Sequence, residues 1–193
     1  MTAEPTIEER ILDATLEVAA FHGISRLSVG DVAKQAGLSR QTLYKHFASR
    51  DELVNRTVMR EASRIVEQVI AAAARYDSPV ASLESAILET LHLVRGHPLL
   101  DRLVATEPEA LLPLLIGGQW GVLGAIRAIS QQILEERVPG ASGTEIGLAA
   151  DVLSRTLISY TVRMPDQPPE EIARFLSTAI VAGLTAAPTP AHR

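Results

Sequence analysis

The pattern of apolar and polar positions along the 193-residue chain predicts helices from one end to the other. Apolar residues recur at spacings of three and four, and no window shows the alternation with β-branched residues that is typical of strands. Thr6, Ser28, Ser49 and Ser142 each stand three residues before an acidic side chain, which is the pattern of a helix capping box. We therefore expect an all-α protein with about nine helices.

Three of the predicted helices are followed by one long helix. The segments cover about residues 6–22, 28–36, 39–46 and 49–76. The two short helices among them are too small to be stable alone, so they must pack on their neighbours. Later segments, separated by prolines and glycines, cover about residues 79–95, 98–105, 107–115, 117–138, 142–163 and 169–186.

Residues 28–47 have the pattern of a helix-turn-helix. Gly37 stands where the chain must turn through positive φ, and Ala33 is small where the two helices would cross. The outward positions of the second helix are then all polar donors or phosphate-contacting groups. They are Arg40, Gln41, Thr42, Tyr44, Lys45 and His46. Tight helix pairs also occur in enzymes, but this outer face favours nucleic-acid binding.

Charge is unevenly distributed along a chain of net charge −5. Residues 24–60 contain seven basic and three acidic side chains, whereas residues 1–23 contain one basic and five acidic side chains. A basic segment in an acidic chain is consistent with a nucleic-acid contact surface. The 47% of apolar residues excludes a disordered chain, and the absence of cysteine excludes disulfides, thiolate metal sites and cysteine nucleophiles.

Motifs in register across the N-terminal quarter carry a family resemblance. They are Ile11-Leu12-Asp13-Ala14, Ala20-Phe21-His22-Gly23, Leu27-Ser28-Val29, Asp31-Val32-Ala33, Ala36-Gly37-Leu38-Ser39, Thr42-Leu43-Tyr44-Lys45-His46-Phe47 and Ser49-Arg50-Asp51-Glu52-Leu53. Together they resemble the DNA-binding domain of the tetracycline-repressor (TetR) family. Gly30 departs from the pattern, because many relatives have a long polar residue there, and one contact from the supporting helix is then missing.

The resemblance implies roles for individual residues. Tyr44 and Arg50 would bind phosphates, and Ser28 would cap the supporting helix and touch the DNA backbone. The remaining DNA-binding positions, which would lie against the major groove or start the second helix, are Ser39, Arg40, Gln41, Thr42, Lys45 and His46.

The resemblance also implies a domain order and a function. Residues 1–52 would form a three-helix DNA-binding domain, 53–187 a helical ligand-binding and dimerisation domain, and 188–193 a frayed tail. The expected function is a ligand-responsive repressor that binds a palindromic double-stranded DNA operator as a homodimer and is released by a small, largely apolar effector. The alternative is a helical small-molecule-binding or catalytic protein with an incidental helix-turn-helix.

Several classes of site are not expected. The sequence has no Ser-His-Asp motif, no Gly-rich phosphate loop and no His-Glu-x-x-His motif, so we expect no enzyme, no cofactor and no metal site. The N-terminus carries acids where a secretory signal would carry bases, and no apolar run reaches the roughly 20 residues of a membrane span. We expect a cytoplasmic protein without a membrane partner.

Two further sets of residues are hypotheses for the C-terminal part. Polar or aromatic anchors for a ligand would be His92, Gln119, Trp120, Arg127 and Tyr160. Surface exposure or interhelical bonding is the alternative for the polar anchors, and close helix packing or a loose helix start is the alternative for the glycine-rich segment around Trp120. The last two helices are apolar around more than one stripe, which predicts a dimer interface in a four-helix bundle. Its residues would be Ile146, Ala150, Leu153, Leu157, Ile172, Phe175, Leu176, Ala179, Ile180 and Gly183. The alternative is that this hairpin is the buried centre of the monomer.

Overall fold

A computed structural model describes residues 4–116, 121–163 and 165–186. Within these ranges the secondary structure is ten α-helices without a strand, so the all-α prediction is confirmed. Each helix corresponds to one of the ten predicted segments, although the expected total was about nine. The helices are α1 (Ile7–His22), α2 (Val29–Gln35), α3 (Arg40–His46), α4 (Arg50–Ala73), α5 (Pro79–Val94), α6 (Pro98–Thr106), α7 (Pro108–Ile116), α8 (Val122–Arg137), α9 (Gly143–Val162) and α10 (Pro169–Thr185).

Side-chain caps start the helices where the sequence predicts them. Thr6 accepts the backbone N–H of Glu9 at 3.2 Å, and the Glu9 carboxylate accepts the backbone N–H of Thr6 at 2.7 Å. Ser142 and Glu145 repeat this reciprocal arrangement at the start of α9. Each cap satisfies backbone donors that the helix itself leaves without a partner.

The described chain forms two compact units. The first contains residues 4–64 and 96–116, and the second contains residues 65–95, 121–163 and 165–186. Helices α6 and α7 thus group with the N-terminal helices, and α4 passes from one unit into the other after Arg64. The predicted division after residue 52 concerns function and remains a prediction; the compact units divide the chain elsewhere.

The second unit is a helical bundle built on α5. Helix α10 packs along α5, and α8 packs along α9. Its core is a continuous set of buried apolar side chains contributed by all of these helices, among them Leu83, Ile87, Leu91, Leu134, Leu153, Leu157, Ala173 and Val181. None of the described helices combines the length and hydropathy needed to cross a membrane.

Candidate nucleic-acid interface

The turn between α2 and α3 has a defined backbone geometry. The N–H of Leu38 donates to the carbonyl of Ala33 at 2.8 Å, and the N–H of Gly37 donates to the carbonyl of Lys34 at 3.1 Å. Gly37 has φ +67°, the left-handed conformation that glycine adopts without a steric penalty. This pair of hydrogen bonds is a Schellman motif, which ends α2 and redirects the chain into α3.

Helix α3 is held by apolar residues on one side only. Leu43 and Phe47 are completely buried, and Val32 and Ala33 of α2 are buried as well. Ser39 caps α3 by accepting the N–H of Thr42 at 3.0 Å. Because a single face of this short helix is anchored, its remaining side chains point outward as the sequence predicts.

The outward face of α3 is polar and accessible. Tyr44 is 52% exposed, Thr42 and Arg50 are half-buried, and the other predicted contact residues are exposed. These exposed residues are Ser28, Ser39, Arg40, Gln41, Lys45 and His46. The face offers hydroxyl, amide, imidazole and cationic groups within two helical turns, which is the chemistry that binds phosphates and base edges.

Arg40 lies across the backbone of the supporting helix. A methyl group placed on Gly30 would be 2.8 Å from both Cζ and Nε of the Arg40 guanidinium. That distance is closer than real carbon contacts allow, so the guanidinium occupies the space that a side chain at position 30 would need. The sequence marked Gly30 as a missing contact and did not indicate that Arg40 fills its place.

Arg50 is a structural residue of this domain. Its Nε donates to the carbonyl of Leu27 at 2.9 Å, and its Nη2 donates to the carbonyl of Ile24. A third N–H, from Nη1, reaches Asp51 at 3.1 Å. The predicted phosphate contact of Arg50 remains a prediction, but two of the N–H groups of its guanidinium are used to fix the loop between α1 and α2.

Other basic side chains of residues 24–60 also form ion pairs inside their own unit. Arg56 forms an ion pair with Glu8 and lies 5.3 Å from the ring centre of Phe47. Arg60 contacts Asp13 at 2.8 Å and Glu61 at 3.2 Å. The charge count of residues 24–60 therefore overstates the surface charge available to a polyanion, and α3 carries much of what is available.

The loop between α1 and α2 is also held by a carboxylate that the sequence did not single out. Glu107, between α6 and α7, is buried and accepts the backbone N–H of Ser25 at 2.9 Å and its hydroxyl at 3.0 Å. The carboxyl carbon would lie 2.6 Å from a methyl group on Gly23, which has φ +85°. The contact joins residues 82 positions apart, and no local sequence signal indicates it.

Of the predicted ligand anchors, the structure describes His92, Arg127 and Tyr160, and none of these three is fully buried inside the second unit. His92 and Arg127 are exposed, with His92 Nε2 3.7 Å from Glu170 and Arg127 Nε 3.9 Å from Asp151. Tyr160 is half-buried against the core. Gln119 and Trp120 lie outside the described residues. The exposure of His92 and Arg127 does not support the hypothesis that they anchor an apolar ligand in the interior.

The predicted dimer residues differ in how deeply they are buried. Half of them are buried in the core of their own unit, as the alternative of a buried centre predicts: Ile146, Ala150, Leu153, Leu157 and Ile172. Leu176 and Ile180 are half-buried against that core, and Ala179 and Gly183 are exposed. Phe175 is 72% exposed, and Leu148 and Val152 of α9, which were not predicted as interface residues, are 64% and 60% exposed.

Comparison with known proteins bears on both halves of the chain. Residues 11–57 match the family model described as bacterial regulatory proteins, tetR family. Residues 79–182, more than half of the chain, match the model described as bacterial tetracyclin repressor, C-terminal domain.

Individual relatives agree with these matches. An uncharacterized HTH-type transcriptional regulator of Mycobacterium tuberculosis (strain CDC 1551 / Oshkosh) is 35% identical over 92 residues, and the match spans 48% of this chain and 46% of that protein. The HTH-type transcriptional regulator AlkX of Mycobacterium tuberculosis (strain H37Rv) is 28% identical over 172 residues, which is 85% of this chain and 77% of AlkX. The crystal structure of the TetR family repressor AlkX from a Dietzia strain superimposes with a TM-score of 0.71 at 23% identity, covering 95% of this chain and 97% of that one.

Proposed function

The chain belongs to the tetR family of bacterial DNA-binding transcriptional regulators, and we propose that it is a repressor that binds a palindromic operator as a homodimer. A small, largely apolar effector releases it from the operator. The observation that carries the proposal is the outer face of α3. Its polar side chains are presented to solvent by a helix whose apolar residues are buried against α2 and its neighbours.

Recognition of DNA by this face divides into two kinds of contact. Tyr44 binds a phosphate, as the resemblance implies, and we assign a second phosphate to Lys45, which the resemblance placed against the major groove. Phosphate contacts supply affinity without sequence choice. Arg40 and Gln41, at the start of α3, read base edges, with Arg40 suited to a guanine and Gln41 to an adenine. The start of a recognition helix is the part that usually reaches the base edges of the major groove.

Dimer formation follows from the size of the contact. One helix-turn-helix covers a short half-site, so tight binding needs a second copy related by twofold symmetry. Phe175, Ala179 and Gly183 are spaced by four residues on α10, so they form one exposed stripe. Leu148 and Val152 form a similar pair on α9. In the proposed dimer the second copy packs against these exposed apolar side chains, because solvent exposure of such a surface is unfavourable in a lone subunit.

Effector binding is assigned to the C-terminal domain, residues 53–187. The match of residues 79–182 to the repressor C-terminal domain supports this assignment. The largely apolar character of the effector is consistent with the Dietzia AlkX, which is implicated in the biodegradation of n-alkanes. An effector releases the operator only if it binds the DNA-competent state more weakly than the other state.

The function is tested by selecting sequences from a randomised DNA duplex pool with the purified full chain. The expected result is an enriched palindrome, bound with an affinity that falls steeply as salt increases. Straight-chain hydrocarbons and their acids are then added to the complex, and release of the duplex is measured by fluorescence anisotropy. Recovery of no preferred sequence would reject the regulator and favour the alternative of a small-molecule-binding or catalytic protein.

A further inference from the structure

We infer that Gly30 is a positioning residue for base readout by Arg40, so that a residue without a side chain helps to set the operator preference. The inference rests on the proposed DNA-binding function. It concerns two residues on different helices of the helix-turn-helix. Gly30 is on the supporting helix α2, and Arg40 is the first residue of the recognition helix α3.

The two residues are in direct steric contact. The Cζ and Nε atoms of Arg40 both lie 2.8 Å from the position that a Cβ atom on Gly30 would occupy, and Nη2 is closer still. The guanidinium group therefore covers the α-carbon of Gly30 with its planar end. With any other residue at position 30, the side chain of Arg40 would have to leave this place.

The contact acts on the direction of Arg40 and not on the fold. The atoms that a Cβ would meet are the far end of a flexible side chain, so they can move without a shift of the backbone. Gly30 is helical and its φ is not in the left-handed region, so alanine is tolerated there and favours the helix. Substitution of Gly30 by alanine is thus expected to redirect Arg40 in a domain that remains folded.

The guanidinium of Arg40, in its position over Gly30, is free to bind a DNA base. Arg40 is exposed, and within the described residues its guanidinium takes part in no hydrogen bond or ion pair. The α2 backbone restricts the long side chain before DNA arrives, which reduces the rotamer freedom that is lost on binding. A bidentate contact to a base depends on the orientation of the guanidinium plane, so a displaced plane changes which base is preferred.

The experiment compares Gly30→Ala, Arg40→Ala and the double variant with the unmodified full chain. Gly143→Ala serves as the control, because Gly143 is also a helical glycine and has nothing within 4 Å of its missing Cβ. Each protein selects sequences from the same randomised duplex pool, and affinities are measured for the best duplex and its single-base variants. Thermal unfolding establishes that each variant is folded.

The expected result is a change confined to the base pair that Arg40 reads. Gly30→Ala should reduce discrimination at that base pair by about tenfold, with unfolding at the same or a higher temperature. The same substitution should change nothing further in the Arg40→Ala background, and Gly143→Ala should behave as the unmodified chain does.

Two other results overturn the inference in distinguishable ways. If Gly30→Ala leaves the base preference unchanged, or alters it equally in the Arg40→Ala background, then Gly30 does not act through Arg40 while the proposed function stands. If the unmodified chain itself selects no sequence, then the proposed function fails and the inference fails with it.

Discussion

The side chain of Arg50 and the carbonyl oxygen of Leu27 are joined by a hydrogen bond of 2.9 Å from Nε. A second N–H of the same guanidinium donates to the carbonyl of Ile24. Arg50 is the first residue of α4, and both carbonyls belong to the loop between α1 and α2. The arginine therefore fixes the loop that leads into the supporting helix, and it does so without DNA.

Replacement of Arg50 by alanine is expected to destabilise the protein. Two backbone carbonyls lose a charged donor, which should lower the free energy of unfolding by about 1–2 kcal/mol. Urea denaturation monitored by circular dichroism measures this change. The matched control is Arg26→Ala, since Arg26 is an exposed arginine of the same loop. An unfolding midpoint unchanged by Arg50→Ala would show that these hydrogen bonds contribute nothing net.

A second stability prediction concerns Glu107. Glu107→Ala removes the acceptor of the Ser25 N–H and hydroxyl, and it leaves a space beside Gly23. We expect a loss of about 1–3 kcal/mol in the free energy of unfolding, because a backbone donor becomes unpaired. Denaturation of Glu109→Ala provides the comparison, as Glu109 is an exposed acid of the neighbouring helix. Equal midpoints for the two variants would refute a structural role for Glu107.

The contacts of Arg50 and Glu107 are of a kind that the sequence does not predict, whereas the helix caps are of a kind that it does. The caps at Thr6, Ser28, Ser39 and Ser142 were predictable because donor and acceptor are three residues apart. The contacts of Arg50 and Glu107 span 23 to 82 residues, so they depend on tertiary packing that no local pattern encodes.

The same limit applies to the last two helices. Their apolar stripes predicted burial, but periodicity does not say which stripe packs inside the subunit. The sequence assigned Leu153 and Leu157 to the interface, whereas the bundle uses them for its own core and leaves Leu148 and Val152 exposed. The exposed face of α3 was easier to predict, because Leu43 is the apolar residue that must be buried. Burial of Leu43 leaves the polar residues of the helix on the solvent-exposed side.

The phosphate contacts of α3 are expected to affect affinity and not base preference. Tyr44→Phe removes a single exposed hydroxyl, and Lys45→Ala removes a single charge. Each should weaken binding by a similar factor for all duplexes, and Lys45→Ala should lower the slope of log K against log salt by about 0.9. Fluorescence anisotropy at several salt concentrations measures both quantities. Arg174→Ala, on α10, is the control for loss of an exposed positive charge. If neither α3 variant changes affinity, the phosphates are bound elsewhere.

Stability is expected to fall in mildly acidic solution because of His97. The half-buried His97 caps α6, where its Nδ1 accepts the N–H of Leu100 at 3.5 Å. Burial lowers the pKa of His97 below the usual 6.5, although the charges of Glu61 and Asp101 oppose the shift. The unfolded chain therefore binds the proton more readily, so this stabilisation is complete above pH 6.5 and is lost as the pH falls through the folded-state pKa.

The variant His97→Asn isolates this effect, because asparagine caps a helix but does not titrate. Urea denaturation at several values between about pH 7 and pH 5 should give a flatter pH dependence for His97→Asn than for the unmodified chain. His46→Asn is the control, since His46 is exposed on α3. Identical pH dependence for His97→Asn and the unmodified chain would exclude His97 as the source.

The dimer proposal is tested at positions that are exposed in the single subunit. Leu148→Glu combined with Phe175→Glu places two charges on α9 and α10 without entering the core, because these side chains are 64% and 72% exposed. The expected product is a folded monomer, since burying an unpaired carboxylate between two copies is strongly unfavourable. Analytical ultracentrifugation gives the mass, circular dichroism gives the helix content, and anisotropy should show loss of tight binding to a selected palindrome.

A matched double variant separates the interface from a general effect of charge. Phe21→Glu with Tyr76→Glu adds the same two charges at aromatic positions that are 75% and 48% exposed on other parts of the chain. This control should sediment as the unmodified chain does. The proposed interface would be refuted if the Leu148 and Phe175 variant remained dimeric, or if the unmodified chain sedimented as a monomer at micromolar concentration. Unfolding of the Leu148 and Phe175 variant would also contradict the proposal. Leu148 and Phe175 are exposed to solvent in the single subunit, so the core of the subunit does not depend on them.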